Sequence, residues 1–244
     1  MCECKALPIR FDYTPKGKVE ALGGDLEGYV VAGTKPAAII MLYDIFGYTE
    51  YPQIKQVCDH LSAATGFTVA IPDVFRGKPW SMAKSPAKPE DNLIGWIQSV
   101  GSYAKVSSDL KLTVDFLRAR GAERFGIAGT CWGASIALTA CSQPDGVFEA
   151  CAGLHPSLFG KDKEFAEALL RPVALVSARG DPLETVQEVV NGKPDLAPKC
   201  IWKRMDDVEH GFCAARGDYK NEVVTQRVAE AVQLLAGFFT SNVA

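Results

Sequence analysis

Residues 125–141, FGIAGTCWGASIALTAC, carry an apolar run into Gly129-Thr130-Cys131-Trp132-Gly133 and then straight into a stretch of small residues with helical character. A strand that turns this sharply into a helix is the setting of a nucleophile elbow. Side chains two positions either side of the central residue would collide there, and glycine at 129 and 133 removes them. Cys131 is thereby expected at the carboxyl edge of a sheet and at the start of a helix, where the helix dipole favours a thiolate. The plainer reading is a buried cysteine flanked by glycines that let a helix lie close on a strand.

Outward from this stretch, apolar runs of four to seven residues alternate with longer stretches of helical period. Strands are expected at Gly28–Ala32, Ala38–Tyr43, Phe67–Pro72, Phe125–Gly129, Phe148–Gly153, Val173–Ala178 and Lys199–Lys203. Val106, Leu110, Val114 and Leu117 form one stripe of a helix from about Tyr103 to Arg120, and Val224, Val228, Ala231, Leu235 and Phe238 line a closing helix. Uninterrupted apolar strands imply a mostly parallel sheet covered by helices on both faces, with the ligand site at the carboxyl ends of the strands. Residues 1–244 are read as a single domain, with 1–26 as an N-terminal extension. The Pro- and Lys-rich stretch 77–92 is a surface loop, either a lid over the site or decoration.

An elbow nucleophile of this kind is followed along the chain by an acid and then a histidine, each after a later strand. Asp181 follows the strand expected at Val173–Ala178, in SARGDPLE, and His210 follows the next one, in DDVEHGFCAARGD. Asp206 and Asp207 are rival acids, nearer to His210 in sequence but on its own loop. Of the three histidines, His60 reads as a surface residue in mid-helix. His155 stands just after a strand, where it would line the pocket; it precedes Asp181, which argues against its being the base.

Composition narrows the function classes. The chain has 244 residues, 48% of them hydrophobic, ample for one buried α/β core. A net charge of -3 with interspersed signs leaves no basic stripe for nucleic acid or anionic membrane. No apolar run is long enough to span a bilayer, and Met1–Pro8 lacks the core of a signal peptide, so a cytoplasmic protein is expected, as monomer or homodimer. The eight cysteines are scattered and read as reduced thiols. Cys2 and Cys4 have no second pair to complete a metal site. Cys213, three residues after His210, is either packing or a regulatory partner for Cys131.

These residues, together with YDIFGYT at 43–49, resemble the dienelactone hydrolase family (carboxymethylenebutenolidase-like) of the α/β-hydrolase superfamily, from about Tyr29 to the closing helix. Most α/β-hydrolases carry serine at the elbow, and this family carries cysteine. The resemblance implies a hydrolase for a small ester or lactone with Cys131 as nucleophile, Asp181 as orienting acid and His210 as base, without metal or organic cofactor. It also implies an oxyanion hole from the backbone N–H groups of Ile45 and Trp132. Asp44 stands where bacterial members carry a glutamate that contacts the resting thiol and takes its proton. Arg76 and Arg216 stand near, though not at, the spacing of two arginines that hold a substrate carboxylate. A broad carboxylesterase or thioesterase on the same triad, a redox-sensing or binding protein, and an inactive scaffold are the competing readings.

Overall fold

In the computed structural model, which describes residues 8–243, the chain forms eight strands and seven α-helices among the described residues. The strands are β1 (Lys18–Gly23), β2 (Leu26–Val31), β3 (Ala37–Leu42), β4 (Thr68–Pro72), β5 (Arg124–Thr130), β6 (Phe148–Leu154), β7 (Val173–Ala178) and β8 (Ile201–Met205). The helices are α1 (Pro52–Thr65), α2 (Leu93–Val100), α3 (Tyr103–Arg118), α4 (Trp132–Ala140), α5 (Asp162–Ala168), α6 (Glu184–Asn191) and α7 (Glu222–Val243). One sheet takes the order β1-β2-β4-β3-β5-β6-β7-β8. Its first two pairings are antiparallel and the rest parallel.

The central strands β3, β5 and β7 are almost wholly buried, as strands covered on both faces must be. Glycines of β5 show the two layers. A Cβ on Gly126 would meet Phe239 of α7 at 2.7 Å, and one on Gly129 would meet Gly133 of α4 at 2.1 Å. The chain runs outward from β3 to β4 and then crosses back to β5, so the winding direction reverses between β3 and β5. Loops leaving their carboxyl ends part there and open a crevice.

The expected strands all form, with β8 shifted two residues later because Ala197–Lys199 is a 3-10 turn. The N-terminal region differs from the expected extension over 1–26: Lys18–Gly23 is a sheet strand, turned into β2 through Gly23 and Gly24, both at positive φ. This strand lies at the sheet edge and carries the charged residues Lys18 and Glu20, so it has no apolar run to announce it. Ahead of it, the Tyr13 hydroxyl and the Lys16 N–H donate to Asp59 Oδ2, and the Tyr29 hydroxyl donates to Oδ1. His60 is also not on the surface; it is buried, with its ring edge-on to Tyr13. Cys2 and Cys4 lie outside the described residues. No helix among the described residues is long and apolar enough to cross a membrane.

Candidate active site

At the end of β5 the backbone of Cys131 takes φ 53° and ψ -116°, a conformation costly for any side chain. The elbow is too tight for alternatives. A Cβ at Gly133 would lie 2.7 Å from the carbonyl oxygens of both Leu42 and Tyr43, as one at Gly129 would strike Gly133 itself. The nucleophile candidate is further stitched to the next strand: Cys131 N–H donates to Leu154 C=O (3.1 Å), and Ser157 N–H donates to Cys131 C=O (3.0 Å).

His210 hydrogen-bonds Asp181 through Nδ1 and Oδ1 at 2.6 Å, and its ring lies in the same cleft wall as Cys131, whose sulfur acts on its charge. Asp181 is itself held by Ala178 N–H on Oδ2 (3.0 Å), which leaves Oδ1 aimed at the imidazole. The rival acids are elsewhere, Asp207 in an ion pair with Arg227 and Asp206 on the surface with its carbonyl taken by Arg179. Burial works against charge on His210, but the hydrogen bond to Asp181 and the nearby Cys131 sulfur prevail and hold its pKa up at about 9. The imidazolium is therefore the favoured form at neutral pH, beside a sulfur it can stabilise as thiolate.

Asp44, Ile45, Cys131 and His210 share the wall of a cleft of about 270 Å³ with Arg216 and the segment from Trp80 to Leu93. Trp132 N–H is at the first position of α4 and has no carbonyl one turn back within its helix. Ile45 N–H likewise has no acceptor among the described residues. The Ile45 carbonyl accepts from Trp80 N–H (2.8 Å), holding the next peptide of this loop against segment 77–92. Two backbone donors, one on the loop after β3 and one directly after Cys131, thus stand unused.

Three expectations are corrected here, and the alternative left open for Cys213 is narrowed. Asp44 is buried in this wall but does not hydrogen-bond the thiol. Oδ1 accepts from Phe46 N–H (2.8 Å) and Oδ2 from Ala215 N–H (3.2 Å), while burial raises its pKa to about 6 against these two bonds. Arg76 is withdrawn from the cleft and makes a two-pronged pair with Asp109, a further pair with Asp25 and a bond to Asp73 C=O. His155 is fully buried and lines no part of the cleft; its ring sits edge-on beneath His210, 5.1 Å between centroids, and burial drives its pKa well down. Cys213 is a free, fully buried thiol whose pKa burial pushes up, which is packing. Arg216 does reach the cleft. Its Nε lies 2.9 Å from where a Cβ on Gly211 would be, so the glycine after His210 makes room for it.

Two cleft residues escaped the sequence reading. The Ser157 hydroxyl lies 3.3 Å from Cys131 Sγ. Lys84 brings a second cation to the wall, its ammonium over the Trp80 ring. Segment 77–92 is therefore part of the cleft. It is tied down by Trp80 against Trp96, by Trp96 on Phe75, and by Phe75 on Trp132 of the elbow. Neither residue could be found from a motif, since Ser157 meets the sulfur through the turn after β6 and Lys84 through these ring contacts.

The likeness to known proteins is consistent over nearly the whole chain. A relative in Schizosaccharomyces pombe, an uncharacterized AIM2 family protein, is 32% identical over 239 residues, covering 94% of this chain and 92% of its own. Among solved structures, a dienelactone hydrolase from Anabaena variabilis superposes with a TM-score of 0.63 at 14% identity, over 95% of this chain and 100% of that one. A dienelactone hydrolase-like promiscuous phosphotriesterase, P91, from metagenomic libraries superposes at 0.64 and 14% identity, over 94% and 98%. At such identities the structures establish the α/β-hydrolase fold. The sequence pattern of the family itself matches residues 26–241, and on that match the chain belongs to the dienelactone hydrolase family.

Proposed function

We propose that the protein hydrolyses a small ester or lactone through a thioester on Cys131. The observation that carries this reading is Cys131 on a strained elbow sharing one cleft wall with His210, which is itself bonded to Asp181, with the Ile45 and Trp132 N–H groups left without backbone acceptors nearby. The thiolate, its proton already on His210, adds to the substrate carbonyl. The oxyanion accepts from Ile45 and Trp132 N–H, an arrangement in which each donor is worth on the order of 3 kcal/mol in the transition state. As the C–O bond breaks, His210 gives its proton to the leaving alkoxide. The neutral imidazole then takes a proton from water, whose oxygen attacks the thioester, releasing the acid and restoring the thiolate and imidazolium. Asp181 holds one tautomer of His210 throughout.

Arg216 and Lys84 on the cleft wall favour a substrate that also carries a carboxylate, and the small volume favours a short one. A dienelactone has both properties. The test is hydrolysis of a dienelactone and of p-nitrophenyl acetate, before and after iodoacetamide, with Cys131→Ala and His210→Ala alongside. Turnover that disappears on alkylation and in both variants is expected, with the lactone preferred. Equal or better turnover of the neutral aryl ester would make the protein a broad esterase, and turnover that survives Cys131→Ala would overturn the mechanism.

A further inference from the structure

We propose that Ser157 is a further catalytic residue, whose hydroxyl donates a hydrogen bond to the Cys131 thiolate. The proposal rests on Cys131 being the nucleophile. The Ser157 oxygen lies 3.3 Å from the sulfur, within hydrogen-bond range for so large an acceptor, and Cys131 is its hydrogen-bond partner among the described residues. Its position is set by backbone. Between the bonds that join Cys131 N–H to Leu154 C=O and Ser157 N–H to Cys131 C=O run His155, at φ 37°, and Pro156. The serine is thus laced to the residue it serves, and its one short side-chain torsion does the rest.

The chemistry of a hydroxyl suits this place. It accepts from S–H when the sulfur is protonated and donates to it when the sulfur is charged, so it never sets like charge against the thiolate. A carboxylate cannot switch in this way without taking up a proton. Asp44, the residue the family resemblance assigns to the thiol, has both oxygens engaged by backbone N–H groups. Ser157 is the side chain within hydrogen-bond distance of the sulfur among the described residues, and His210 is the charged group that acts on it. With the His210 imidazolium in the same wall and the Ser157 hydroxyl donating, the thiolate is stabilised before substrate arrives.

The test is the rate of iodoacetamide alkylation of the full chain as a function of pH, with mass spectrometry assigning the label to Cys131. Ser157→Ala is expected to move the acid limb of the profile to higher pH, so that at a fixed pH on that limb the rate falls about threefold to tenfold, while the plateau is kept. Ser157→Gly should track Ser157→Ala, and Ser157→Thr, which keeps the hydroxyl, should return the limb toward wild type. Superimposed profiles, a rate lowered equally at every pH, or Ser157→Thr behaving like Ser157→Ala overturns the proposal. The outcome is separable from the hydrolytic reading. A Ser157-dependent limb without ester turnover leaves this inference standing and removes hydrolysis; ester turnover with superimposed limbs does the reverse.

Discussion

Cys131 and Arg76 share nearly the same φ, 53° and 52°, and each lies in the segment after the carboxyl end of a strand, β5 and β4. One side chain is offered to the cleft and the other is tied away from it. Around Cys131 the neighbours are an imidazole and a hydroxyl, groups that respond to charge on sulfur. Around Arg76 they are two carboxylates and a carbonyl, which fix a permanent cation and leave it nothing to offer a substrate. Unfavourable torsion, of order 1–3 kcal/mol at each residue, is offset in both cases. At Arg76 the compensation is the two-pronged pair with Asp109; at the elbow it is the close packing that the glycines permit. Backbone strain at a strand end thus marks an over-determined place, and the partners decide whether it serves chemistry or support.

The sharpest way to break this contrast is at the acid behind the histidine. Asp181→Asn should lower kcat/KM by about a hundredfold or more with little loss of fold, because an amide favours the wrong tautomer of His210. The pH profile carries the sign. His210 keeps its proton up to about 9 because Asp181 and Cys131 outweigh burial, so the alkaline limb of wild-type activity should fall near that pH. With Asp181 neutralised, burial remains and the limb should move to lower pH. A limb that stays in place would mean that Asp181 does not set the histidine's charge.

Arg76→Met should do the opposite. It leaves buried Asp109 without its cation and should cost about 2 kcal/mol of unfolding free energy by urea titration, with kcat/KM kept within about twofold. A large rise in KM instead would put Arg76 back among the substrate contacts. Arg216→Gln, on the cleft wall, should raise KM for a carboxylate-bearing lactone about tenfold and leave a neutral aryl ester unaffected. Equal effects on the two substrates would remove its part in charge recognition.

The smallest expected effect is at Asp44. Burial lifts its pKa to about 6, above the 3.8 of an exposed aspartate, so the folded state binds this proton more tightly than the unfolded state does. The resulting stability is fully present below about pH 3.8 and is lost as pH rises through 6. Asp44→Asn does not titrate, so relative to wild type it should gain about 2 kcal/mol from pH 4 to pH 7, set against a pH-independent loss of about 1 kcal/mol for the backbone bond that the amide forfeits. A difference between the two proteins that stays constant with pH would show that the carboxylate is not strained by burial.

How much of this was legible in the chain follows from the range of the interactions involved. Apolar runs and the glycines at 129 and 133 act through torsions and contacts within a few residues, so the parallel sheet, the elbow and the strand ends that carry Asp181 and His210 could all be read. Edge strand β1 could not, because its residues answer to solvent on one side and show no apolar run. His60 and His155 were misplaced for a related reason: their positions in a helix and at a strand end are local facts, but the Tyr13 ring that covers one and the His210 ring that covers the other come from distant segments.

The sequence by itself determined the fold class, the family and the chain order of the candidate nucleophile, acid and base, since all three rest on local geometry repeated along the chain. Tertiary structure alone decided which charges and hydroxyls face the cleft. Arg76 was drawn off by Asp109 of α3, Asp44 was engaged by Ala215 from 171 positions away, and Ser157 and Lys84 were carried in by the turn after β6 and the packed tryptophans. A hydrogen bond or ion pair depends on distances of a few ångströms between side chains, and those are set only when the strands have taken their places in the sheet.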